Sequence, residues 1–378
     1  MNKPVHIYAE DVNPDTMEQF TNCAKCDFVV EAALMPDAHL GYVAPVGAVL
    51  KTKSFLVPAW VGYDIGCGLT AVKLRGIQKK DIQNTEDIYK AVDKAVPMGL
   101  GKKNRYKDIS KETNKKYQEI LSTFEQKPHD HNIYQFFDGS AVRHLGSLGS
   151  GNHFIELGYS GEDIWLVIHS GSRGVGYKVA KKYMKRSAGT EKNYEETNPI
   201  HEDSELGKEY KAILDFGLKF AELNREEMVK KTVKAVQKVM DTEITYEEWT
   251  NKNHNHALKE NGYYIHRKGA TPAKQGERGV IPANMRDGSY LVKGKGNKKF
   301  LESSSHGAGR VMSRSGAKKN ISLDEFKQEM KDVKGTVSEK TLDEAPQAYK
   351  DITAVLAAQQ ESIDVVKHIK PLVNWKGA

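Results

Sequence analysis

The stretch DIWLVIHSGSRG (163–174) decides how the rest of the chain is read. Its apolar core, Ile164 to Ile168, is short, rich in β-branched residues and bounded by turn formers, which is the signature of a strand rather than a helix. Outward from it the same pattern recurs in GYVAPVGAVL (41–50), GLTAVKLRG (68–76), GNHFIELG (151–158), GYYIHRKG (262–269) and GSYLVKG (288–294). Between these runs lie charged, helical stretches. Residues 77–135 are polar and rich in Lys, Asp and Glu. Residues 203–241 carry Leu206, Tyr210, Ile213, Gly217 and Phe220 at spacings of three and four, then Val229, Val233, Val236 and Met240. Asn224, with Glu227 three residues on, is placed to cap a second helix, so the pattern predicts two amphipathic helices. Ser322 and Glu325 form another capping-box pair, and residues 349–360 read as a short helix. With no repeat and no Pro/Ser/Gly linker, the expectation is an α+β fold. It is a single large domain over residues 1–378, with a mixed β-sheet core, peripheral helices and helical excursions at about 77–135 and 203–250.

Composition excludes several classes. The chain has 378 residues, 39% of them hydrophobic, too apolar for a disordered protein. Fifty-seven basic and 50 acidic side chains leave a net charge of +7, which permits a polyanionic partner without demanding one. Three cysteines, Cys23, Cys26 and Cys67, cannot build a disulfide framework and suit a reducing, cytoplasmic setting. The opening MNKPVHIYAEDVNPD lacks an apolar leader and no stretch reaches the length of a membrane span, so neither secretion nor membrane insertion is expected.

Chemistry concentrates where strands meet glycine. VGYDIGCG (61–68) presents Asp64 and Cys67, GSGNHFIE (149–156) presents Asn152 and His153, and LVIHSGSRG (166–174) presents His169. A thiolate, a carboxylate and imidazoles form a transition-metal donor set, although each residue alone is equally well a buried or turn residue. In NHNHALKENG (253–262), His254 and His256 share a face if the segment is extended and diverge if it is helical. SSSHGAGRVMSR (303–314) sets His306 among small residues whose backbone amides could surround an anion, with Arg310 and Arg314 nearby, and an imidazole there is a candidate nucleophile toward phosphorus. No Walker-type loop is present. Cys23 and Cys26 have no second C-x-x-C to complete a zinc site, and the apolar run that follows favours a strand or core position. The basic runs KKNRYK (102–107), KVAKKYMKR (178–186) and KGKGNKK (293–299) would attract phosphate if they rimmed the same cleft.

Taken in order, MPDAHLGYVAPVGAV (35–49), GYDIGCG (62–68), LGSLGSGNHFIE (145–156), HSGSRG (169–174), HRKGAT (266–271), SSHGAGRVMSR (304–314), DEAPQAYKD (343–351) and PLVNWKG (371–377) resemble the RtcB family of RNA ligases across nearly the whole chain. The resemblance implies a GTP- and Mn²⁺-dependent enzyme that joins RNA 3′-phosphate or 2′,3′-cyclic phosphate ends to 5′-hydroxyl ends, in RNA repair or tRNA splicing. It makes His306 the guanylylated residue. It makes Asp64, Cys67, His153, His169 and His254 the ligands of two Mn²⁺ ions, with the cysteine sulfur between them. It assigns guanine-nucleotide contacts to Asn152, His153, Glu156, Asn255, Ser289, His306, Gly307, Ala308, Gly309, Tyr349 and Lys376. Two other readings use the same residues: a metal-dependent RNA-end phosphoesterase that has no need of His306, and a non-catalytic RNA-binding protein.

Overall fold

The computed structural model describes residues 3–10 and 12–377. Two sheets carry the fold. The larger has the strand order Arg278–Pro282, Ser289–Gly294, Ile363–Lys376, Phe154–Ser160, Asp163–Ser170, Gly68–Gln78 and Thr245–Asn253, with Lys334–Gly335 added alongside Ile363–Lys376. All its pairings are antiparallel except the last. Its two outer strands nearly meet, since Trp249 Nε1 donates to Gly279 O at 3.0 Å and Thr250 Oγ1 to Arg278 O at 3.1 Å. The smaller sheet runs Val5–Ile7, Val29–His39, Val46–Thr52, Tyr263–Lys268 and Asn255–Glu260, with a parallel pair at its first edge. The α+β class and the mixed strand directions are those the sequence pattern implies.

The excursion over 77–135 resolves into helices Thr85–Ala95, Lys111–Glu125 and His131–Gly139, whose first turns are capped by the side chains of Asn84, Ser110 and Asp130. The predicted box at Ser322 and Glu325 forms, and a short helix occupies Ile352–Ala357. The second excursion differs from expectation. Residues Glu205–Met240 form one continuous helix, capped by Ser204, and Thr245–Asn253 is a strand. Asn224 does not cap. Its side chain accepts from Ser147 N and donates to Ser170 Oγ and Gly171 O, so its hydrogen-bonding capacity goes to neighbouring loops and the helix runs straight through it. Nor is this helix peripheral. Tyr210, Phe216, Phe220 and Leu223 are buried against Tyr117, Phe124 and Phe137, and Met228, Val229 and Val236 against the large sheet. Each such side chain contributes about 1.5–3 kcal/mol of burial. Cys23 lies buried on helix Pro14–Ala24 rather than on a strand, and all three cysteines are free.

Candidate metal centre and nucleotide cleft

Sheet register builds the centre. Gly68 pairs with Ser170 on one side and Asn253 on the other, while His169 lies opposite Leu69 and Phe154. Cys67, His153 and His254 each stand one residue outside a strand, and His169 near the end of another, so four neighbouring strands deliver their donors to the same edge. Cys67 Sγ lies 3.4 Å from His153 Nε2 and 3.2 Å from His169 Nε2, His153 Nε2 lies 2.9 Å from Asp64 Oδ2, and His169 Nε2 lies 3.2 Å from His254 Nε2. Close approach is required here: a Cβ on Gly171 would fall 2.2 Å from Asp64 Oδ1.

Backbone carbonyls fix the tautomers. His153 Nδ1 lies 3.0 Å from Leu148 O and His169 Nδ1 3.2 Å from Asn152 O. A carbonyl only accepts, so both Nδ1 atoms carry a proton and both Nε2 atoms face the sulfur, His169 with its lone pair and His153 also in contact with the Asp64 carboxylate, the orientation of metal-ligating imidazoles. The 3.0 Å carbonyl contact outweighs the 3.4 Å approach of Arg173 Nη1 to the same His153 nitrogen. Burial, reinforced by neighbouring imidazoles, holds His169 and His254 well below the usual histidine range. Burial, reinforced by Asp64, pushes the Cys67 thiol well up. Burial opposes ionisation of Asp64, but His153 and Arg173 outweigh it and hold the carboxyl low. Sulfur, imidazole and carboxylate donors turned on one another in a buried space form a set that could hold a cation. Cys67, His153 and His169 satisfy the geometry of a metal site as they stand, and Asp64 and His254 adjoin them.

Behind the donors stands a residue that sequence reasoning missed. Arg225 is fully buried and donates to Gly66 O (3.1 Å), Ser170 O (2.9 Å), Asn251 Oδ1 (2.7 Å) and Asn253 Oδ1 (2.9 Å), tying together the segments that carry Cys67, His169 and His254. Only its place among hydrophobic positions of a helix marked it in the sequence.

His306 stands beside this centre, its ring centroid 4.7 Å from that of His254. Its Nδ1 lies 2.7 Å from Asp37 Oδ2, and the same oxygen accepts from the backbone N–H of His306 (3.1 Å) and Gly307 (3.2 Å). A carboxylate on Nδ1 leaves Nε2 as the lone-pair nitrogen. Burial disfavours the Asp37 anion, but His306, His39 and Ser305 outweigh it and keep the carboxyl low. Within MPDAHLGY nothing local links Asp37 to a histidine 269 residues later. The expected cradle of free amides is not formed. His306 N and Gly307 N are taken by Asp37, and Ala308 N donates to Pro282 O. Gly309, at φ +78°, passes so close to Asp37 O that a Cβ would sit 2.3 Å from it.

These residues open on a cleft of about 800 Å³, the size of an ordinary small-ligand site. Asn152, Glu156, His169, His306, Gly307, Ala308, Gly309, Tyr349 and Lys376 line it. Ser289 stands one step back, donating to Glu156 Oε1 at 2.8 Å, with Asn374 donating to Oε2 at 3.2 Å. Burial raises the Glu156 carboxyl to about 7 against these donors. Asn255 is turned to the backbone, accepting from Gly269 N and donating to Asp64 O. His256 is separated from His254 by the strand break at 254. It lies opposite Arg267 in the smaller sheet, with no hydrogen-bond partner on either ring nitrogen among the described residues. Glu344, also missed, gathers Lys376 Nζ (2.6 Å), Tyr349 OH (2.6 Å) and Arg314 Nη1 (2.7 Å). Burial opposes its charge, yet Lys376 and Arg314 hold the carboxyl at about 2.

Comparison with known proteins is consistent with this geometry. The family described as tRNA-splicing ligase RtcB matches residues 19–377. The chain is 33% identical to an RNA-splicing ligase RtcB of Escherichia coli K12, covering all of this chain and 98% of that protein. It is 29% identical to a tRNA-splicing ligase RtcB of Nanoarchaeum equitans, covering all of this chain and 96% of that one. The match runs through every segment that builds the centre and the cleft, at nearly full length on both sides, and the chain belongs to the RtcB family of RNA ligases.

Proposed function

We propose that this RNA ligase joins RNA ends bearing a 3′-phosphate or 2′,3′-cyclic phosphate to 5′-hydroxyl ends, using GTP and two Mn²⁺ ions, through a guanylylated His306, in RNA repair or tRNA splicing in the cytoplasm. One observation carries the reading: an imidazole whose Nδ1 is anchored on a buried carboxylate stands beside a metal-type donor set on the wall of a nucleotide-sized cleft.

Asp64, Cys67, His153, His169 and His254 would hold the metal, and their mutually facing donor atoms suit a cation that displaces the remaining protons. When bound, the metal supplies Lewis-acid neutralisation of phosphate charge. His306 Nε2 attacks the α-phosphorus of GTP. A P–N bond forms, the P–O bond to pyrophosphate breaks, and the electron pair leaves with pyrophosphate. The Nδ1 proton stays in place, and Asp37 stabilises the positive charge that develops on the ring. A 3′-phosphate oxygen of the RNA then takes GMP, breaking the P–N bond and returning the pair to Nε2. Finally the 5′-hydroxyl oxygen attacks the activated 3′-phosphorus, its proton is released and GMP departs. A cyclic phosphate is first opened by hydrolysis. Asn152, Glu156, Gly307, Ala308, Gly309, Tyr349 and Lys376 line the cleft and would border the guanine nucleotide, with Ser289 and Asn255 acting through their neighbours.

Incubation with α-labelled GTP and Mn²⁺ is expected to leave an acid-labile label on the protein that is absent in His306→Ala. Hydrolysis of cyclic phosphate ends with no label in the wild type would instead favour a phosphoesterase, which has no use for the Asp37–His306 pair.

A further inference from the structure

Three tyrosines form a continuous aromatic path away from the cleft. Tyr42 lies on the cleft rim and is 73% exposed. Its ring meets Tyr63 edge-on, centroids 5.6 Å apart at 85°, and Tyr63 stacks on Tyr177 at 4.9 Å and 24°. Tyr177, 51% exposed, sits on helix Arg173–Ala188, which begins beside the centre where Arg173 approaches His153. Tyr63 immediately precedes Asp64, and its hydroxyl donates to Glu195, which pins the middle ring. Two large rings left open to water, in contact through a third and ending at a reaction cleft, are poor packing and good stacking surface.

Charge along the same helix points to the occupant. Lys182, Lys185 and Arg186 are neutralised by Asp130, Glu191 and Glu209. Lys178 lies over the Phe136 ring at 4.0 Å, and neither it nor Lys181 makes an ion pair among the described residues. Lys181 follows Tyr177 by four residues and shares its side of the helix. Open aromatic faces beside unneutralised cations are the combination that holds single-stranded nucleic acid: rings take bases of any identity, and lysines attract the backbone.

We propose that Tyr42, Tyr63 and Tyr177 form a stacking platform for unpaired nucleobases of the RNA strand entering the cleft, with Lys178 and Lys181 drawing in its phosphates. This rests on the ligase reading above and adds where the RNA outside the reacting ends is held.

Two single-stranded RNA oligonucleotides test it, one ending in a 3′-phosphate and one in a 5′-hydroxyl, each carrying 2-aminopurine near that end. Quenching of the fluorophore on binding by either strand is expected, and it assigns the platform to that strand. Tyr42→Ala and Tyr177→Ala should each weaken RNA binding about tenfold, raising KM for RNA more than they lower kcat. Tyr42→Trp should restore affinity. Tyr246→Ala, at an exposed tyrosine on the outer strand Thr245–Asn253, should leave affinity unchanged. Absence of quenching in both strands, unchanged affinity in both alanine variants, or failure of Tyr42→Trp to restore binding overturns the platform. GTP labelling of the wild type is read separately. Its absence would sink the ligase reading while the RNA-binding comparison still stands or falls by itself.

Discussion

Two groups of buried polar side chains share this cleft and handle charge in opposite ways. Around Glu344 the protein supplies its own cations: Lys376 and Arg314 approach the carboxylate, Tyr349 donates to it, and both oxygens are satisfied. Around Cys67 no lysine or arginine of the described residues forms an ion pair with the donors. Sulfur, imidazole nitrogens and the Asp64 carboxylate face one another; Arg173 approaches only the far nitrogen of His153, and the fully buried Arg225 spends its donors on carbonyls and on Asn251 and Asn253 behind them. The first group is complete as folded and shapes a wall. The second gathers donors that could hold a metal ion and marks the candidate site. Glu156 lies between these extremes, hydrogen-bonded by neutral donors, with Lys376 as its electrostatic partner.

The contrast can be broken most forcefully from behind the metal donors. Arg225→Ala leaves two carbonyls and two asparagine oxygens unpaired in the interior and is expected to cost about 3–5 kcal/mol in urea unfolding. A loss below about 1 kcal/mol would show that the donor segments hold themselves in place. The wall is tested by Glu156→Gln. Because burial raises this carboxyl from 4.5 to about 7, the folded protein keeps its proton longer than the unfolded chain does. Its contribution to stability therefore falls as pH rises from about 4.5 to about 7. Wild type should lose about 3 kcal/mol relative to Glu156→Gln across that window. A difference independent of pH would mean that the carboxyl is ionised throughout. The smallest effect tests the centre itself. Mn²⁺ at a hundredfold excess over its Kd should stabilise wild type by about 2.7 kcal/mol, read as a rise in Tm, and Cys67→Ala should abolish that rise. An equal rise in the variant would place the metal elsewhere.

Much of this was legible in the residues. Strand runs punctuated by glycine, the capping box at Ser322 and Glu325, the helical character of residues 77–135 and the histidines at strand ends all carry local signals that survive folding. Where reading failed, the deciding partner was distant. Asn224 has the form of a cap, but Ser147, Ser170 and Gly171 claim its side chain. The amides of the HGAG turn look free until Asp37 and Pro282 O are brought against them.

By itself the sequence determined which side chains are available, the α+β character and the turns on which the donors sit, because these depend on periodicity, glycine and neighbours a few residues away. Tertiary structure alone decided that strands beginning or ending near residues 67, 153, 169 and 254 lie side by side in one register, and that Asp37 meets His306 across 269 residues. The physical reason is that pairing between strands and burial of a carboxylate on an imidazole are long-range terms. Their partners are chosen by how the whole apolar core closes, and no local pattern encodes that choice.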